Sequence, residues 1–99
     1  MKTTPKHTFI NVRADMGSIG IAGVVMQHLR SHEYAPIELR GIGPGAVNQA
    51  VKGIAIAIER LGREDNVALI SIPRIEDGIP RPGYESEEVS RVCLVVEVR

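Results

Sequence analysis

The chain has 99 residues, 43% of them apolar and 24% charged, with a formal net charge of zero and a single cysteine. That length supports one domain with one modest core. No stretch approaches the roughly 18 unbroken apolar residues of a membrane helix, and one cysteine excludes an internal disulfide framework.

The N-terminal MKTTPKHTFINVRAD has no apolar signal core, so a cytoplasmic protein without a membrane partner is expected. The zero net charge conceals a split. Residues 1–63 hold eight Lys/Arg and four Asp/Glu, and residues 64–99 hold four Arg and eight Asp/Glu. Such asymmetry fits an anionic partner on one side, or two halves that mix in space and cancel.

Residues 1–7 read as a flexible tail and 8–99 as a single domain. Thr8 to Ala14 alternates, Phe9, Asn11 and Arg13 against Ile10, Val12 and Ala14, which predicts a strand. Asp15 and Ser18 are candidate caps for the helix from Gly17 to about Glu33. Ile19, Ala22, Val25, Met26 and Leu29 form its apolar face. Gly17, Gly20 and Gly23, three apart, suggest close approach of a neighbouring backbone, because glycine otherwise costs helix stability. Ile37 to Ile42 alternates again. Gly41 to Gly62 then opens with glycines and a proline and becomes a helix whose stripe is Val47, Ala50, Val51, Ile54, Ile58 and Leu61. Val67 to Ile72 reads as an interior strand. Asp77 to Glu88, with its prolines, glycines and acids, reads as a hairpin connection, and Ser90 to Val98 as the last strand.

The expectation is an α/β chain of the two-layer α+β sandwich kind, ordered β-α-β-α-β-β, with a mixed four-stranded sheet and both helices on one face. Ile56, Val95 and Cys93 would then stand half-exposed, so a homodimer or higher oligomer is expected. If the first two strands are parallel, their βα turns leave the sheet at one end. Asp15–Ser18, Gly43–Asn48 and the hairpin should converge there, with two helix N-termini that suit an anion.

No catalytic or cofactor pattern accompanies this geometry. The glycines miss the dinucleotide fingerprint, and Lys52-Gly53 does not complete a P-loop. Cys93 lies in an apolar strand, where a packing role outweighs a nucleophilic one. His28 and His32 lack a convincing third metal ligand. A non-enzyme is expected, with no metal and no cofactor. Nucleic acid is favoured by Arg13, Lys52, Asn48, Gln49, Arg74 and Arg81 around the converging edge. It is opposed by the acidic hairpin and by the few aromatics available for stacking.

The run GIGPGAVNQAVKGIAIA (41–57), with IGIAGVVMQHLR (19–30), Ile72-Pro73 and the ending Val96-Glu97-Val98-Arg99, resembles the stage V sporulation protein S family. That family is similar in fold to the Alba domain, a β-α-β-α-β-β module that dimerises and binds DNA or RNA. The resemblance implies a nucleic-acid-binding or regulatory role in bacterial development, touching sporulation, septation or spore coat assembly. Alba-like binding edges use basic residues in the first βα turn, at the start of the second helix and in the last hairpin. Here Gln49 stands where Alba carries lysine, and Arg81 stands amid carboxylates. Pro44, Ser71 and a longer hairpin also depart from the family's pattern. Carried over, the edge comprises Arg13, Ser18, Gly45, Asn48, Gln49, Lys52 and Arg81, binding RNA or DNA weakly. The alternative is a protein–protein adaptor or scaffold that contacts a protein through Asn48, Gln49 and the acidic hairpin.

Overall fold

Alternation and helical periodicity become six elements in the computed structural model, which describes residues 8–99. They are β1 (Thr8–Val12), α1 (Ser18–Ser31), β2 (Ile37–Gly41), α2 (Pro44–Glu64), β3 (Leu69–Arg81) and β4 (Tyr84–Val98). The expected tail, residues 1–7, lies outside the described residues. The sheet order is β1-β2-β4-β3. β1 pairs parallel with β2, and β4 runs antiparallel to both β2 and β3. β1, β2 and β3 therefore all finish at one end of the sheet, as the βα topology requires.

Ile10, Val12, Leu39, Leu94, Val96 and Leu69 share the sheet face that meets the helices, and α1 adds Val25 and Leu29 and α2 Ile54, Ala57 and Leu61 to the same core. Three expected core positions are not in it, among them the half-buried Val47. Ile19 is 75% exposed and Val51 50%, while Ile21 and Ala46 are buried instead. α2 packs against the Ile21 side of α1, which moves the buried stripe of α1 toward that residue.

The glycine triplet of α1 does not mark a close approach. A Cβ at Gly17, Gly20 or Gly23 would meet nothing within 4 Å. The tight crossing is at Gly53 of α2, where a Cβ would sit 2.5 Å from Ile21 Cγ2 and 3.2 Å from the Ser18 carbonyl oxygen. Neither expected cap is used either. Gly17 is the N-cap of α1 without a side-chain bond, and Asp15 pairs with Arg13 at 3.1 Å.

The largest correction concerns the hairpin. Residues 77–88 are not a long connection but mostly strand, closed by a two-residue turn at Pro82-Gly83. Proline followed by glycine at φ 82° is the pairing that a type II turn asks for. β2 ends opposite Val92, which pairs with Ile75. Everything beyond Ile75 is thus a two-stranded arm projecting past the sheet, irregular between Glu76 and Ile79.

On the outer face of the sheet, Glu38 is only 2% exposed. A buried carboxylate needs partners. Arg40 binds one of its oxygens and Arg74 Nη2 the other at 3.0 Å. Cys93, expected half-exposed, is fully buried beside them. Its thiol donates to Glu76 Oε1 at 3.0 Å, and Arg91 Nη2 donates to the same oxygen at 2.6 Å. Burial, then the bond to Glu76, pushes the thiol up from its ordinary value, which leaves it a packing group rather than a nucleophile.

Candidate functional site

Both βα turns and the projecting arm meet at the shared end of the sheet. Three contacts lock the turns together. Gly45, in the first turn of α2, leaves room for Ala14: a Cβ at 45 would lie 2.8 Å from the Ala14 Cβ. Gln49 Nε2 donates to the Met16 carbonyl at 2.7 Å. The Ser18 carbonyl lies against Gly53. Gly43, at φ 87° and ψ 159°, turns the chain sharply from β2 into α2, a conformation open to glycine and costly for other residues. Pro44 then begins the helix, where its missing N–H costs nothing.

The arm folds over this end and encloses a cleft of about 580 Å³. Its wall carries four arginines: Arg13 from the first turn, Arg40 from β2, Arg81 near the arm tip and Arg91 from β4. Asn11 lines it as well, with an apolar floor from Val12, Ile42, Ala46 and Ile79. Each guanidinium is held by a carboxylate: Arg13 by Asp15, Arg40 by Glu38, Arg81 by Glu87 at 2.8 Å, and Arg91 by Glu76. Two of them also stack on rings. Arg40 lies 3.7 Å from the Phe9 centroid and Arg81 lies 4.5 Å from that of Tyr84. The Cys93 thiol and the Arg91 guanidinium hold Glu76 down to about 2, so it remains a carboxylate across the physiological range.

Of the seven residues expected from the sequence, Arg13 and Arg81 line the cleft. Gly45 and Gln49 are spent on joining α2 to the first turn, and Ser18 begins α1 beside Gly53. Asn48 and Lys52 are exposed one turn apart on α2. Sequence reasoning missed Asn11, Arg40 and Arg91. Alternation places Asn11 and Arg40 on the outer face of their strands, but only the register of the arm reveals that they border a cavity.

Among the described residues, no helix is long and apolar enough to cross a membrane. A family model described as Stage V sporulation protein S (SpoVS) matches residues 8–99. The chain belongs to that family.

Proposed function

From that membership, which supports a sporulation-related protein, we propose a non-enzymatic, cytoplasmic regulator that binds RNA or DNA weakly at the shared end of the sheet. The observation that carries this reading is the arginine-lined cleft between the arm and the two βα turns, into which no carboxylate among the described residues projects. Pairing with carboxylates lowers the long-range field of those arginines. Affinity is therefore modest, and Lys52 and the solvent-facing side of Arg13 supply most of the salt-dependent attraction.

Fluorescence anisotropy with labelled single-stranded RNA, single-stranded DNA and duplex DNA at low and physiological salt tests the reading. We expect micromolar binding that weakens with salt. Each lost phosphate contact removes roughly 0.7–0.9 from the salt slope, so Arg13→Ala/Lys52→Ala should flatten it by between one and two such contacts. Wild-type binding unchanged in the double variant would remove this edge from consideration.

A second reading, a protein–protein adaptor, draws on the arm, which carries five carboxylates against two arginines between residues 76 and 91. It requires a specific protein partner whose co-purification survives nuclease treatment. The lack of any nucleic-acid binding at low salt would make this the primary reading.

A further inference from the structure

We propose that the arginine-lined cleft seats one nucleotide of a single-stranded nucleic acid, so that the chain prefers a single strand to a duplex. This deepens the nucleic-acid reading and rests on it. Size comes first: about 580 Å³ suits one small ligand, within the roughly 300–1,000 Å³ of such sites. A duplex presents its bases only at groove edges and does not fit inside a cavity of that scale.

The lining is the second argument. An apolar floor with guanidinium walls matches a flat base joined to a phosphate. Single strands are recognised by stacking splayed bases on aromatic rings or guanidinium planes. Two of the chain's three Phe and Tyr residues sit beneath arginines of this cleft, Phe9 under Arg40 and Tyr84 under Arg81. Each stack holds one face of a guanidinium, and in the proposed complex the base stacks on the opposite face.

Charge decides between strand types. The carboxylates behind the arginines fix the guanidinium planes, so little side-chain freedom is lost when a ligand enters. The same carboxylates cancel the field that a densely charged duplex would exploit. A duplex laid along the arm would also meet Asp77, Glu85, Glu87 and Glu88, exposed on its strands. A single strand that turns one nucleotide into the cleft avoids most of them.

The test fills the cleft without substituting an arginine. Ala14 is exposed and lines the cavity, and Ala14→Trp places a ring where the base would lie. Asn11→Trp, from the exposed rim on β1, is the second variant should the first fold poorly by circular dichroism. Binding of matched single-stranded RNA, single-stranded DNA and duplex DNA is compared at low salt. We expect at least one single strand to outcompete the duplex about tenfold, and a filled cleft to abolish that advantage, the loss of one stacked base. A duplex that binds as tightly as both single strands, or a single-strand advantage that survives both fillings, overturns the proposal while leaving the nucleic-acid reading in place. If none of the three probes binds, both fall together.

Discussion

Single side chains at the far end of the molecule contribute to its response to acid. Arg30, near the end of α1, donates to both Asp65 carboxylate oxygens at 3.0 and 2.8 Å and to Glu64 at 3.1 Å. The Tyr34 hydroxyl adds a 2.6 Å bond to Asp65, from a residue held at φ 62° just after the helix. Arg30 first, then Tyr34, lowers the Asp65 carboxyl from 3.8 to about 2. The folded value lies below the unfolded one, so this clamp contributes fully above about pH 4 and is lost as pH falls toward 2. We expect Asp65→Asn to lower the thermal midpoint at neutral pH, and the gap to wild type to close by pH 2. A gap of constant size from pH 7 to 2 would show that Asp65 is not the titrating partner. The effect is modest, because the Arg30 side chain is 42% exposed and solvent screens the pair. None of this clamp was legible in the sequence. Residues 30, 34 and 65 meet only once both helices end at the same place, and no local pattern announces that meeting. The burial of Glu38 is hidden from the sequence for a related reason. Alternation with Leu39 puts it on the outer face, which a sequence reader takes as solvent, whereas Arg40 and Arg74 cover it.

At the scale of elements, the crossing of α1 and α2 is the sharpest test of how space is allotted. Gly53 is the contact point, and its neighbour is the buried, β-branched Ile21, which has little rotamer freedom to give way. Gly53→Ala should therefore destabilise by about 1–3 kcal/mol through overpacking, overriding a helix-propensity gain of about 1 kcal/mol. Gly20→Ala, with open space around it, should gain about 0.5–1 kcal/mol. Urea unfolding with an unchanged slope measures both. Equal signs for the two substitutions would refute the assigned crossing. Here the sequence showed the need for small residues but not the place. The periodic glycines of α1 point to the wrong helix, while Gly53, alone in the middle of α2, carries no periodic signal. Element order and type were legible because alternation and 3.6-residue periodicity are local. The arm was not, since Gly78, Pro80, Pro82 and Gly83 imitate a loop, and only pairing such as Pro80 with Glu88 makes Gly78 and Pro80 strand.

The whole molecule leaves one inner surface short of cover. α2 lies over the middle of the sheet, and a groove of about 220 Å³ opens between it and the β3 side. Val51, Ile54, Ala55 and Ile58 line one wall, Ser71 and Leu94 the other. Ile75, on the same face of β3 by alternation, is 67% exposed, and Val51 50%. The Ser71 hydroxyl is buried at this groove with no hydrogen-bond partner among the described residues. Exposed apolar side chains beside such a groove suit cover by a partner, and a buried hydroxyl without a bond is a cost that a partner can relieve. We propose a second copy of the chain as the occupant, since an isologous pair sets the same groove against itself. The sequence-based reason for expecting a dimer was different. It named Cys93 and Val95 on the outer face, where Cys93 is in fact sealed under Arg91 and Glu76. The expectation now belongs to the opposite face of the sheet. Wild-type protein should run as a homodimer at micromolar concentration in size exclusion with light scattering. Val51→Asp places a charge in the groove but not in the core, so it should give a folded monomer with unchanged circular dichroism. A wild-type monomer would leave the groove without this role. A Val51→Asp dimer would move the interface elsewhere, with the outer-face apolar residues Phe9, Ile70 and Ile72 next to be substituted.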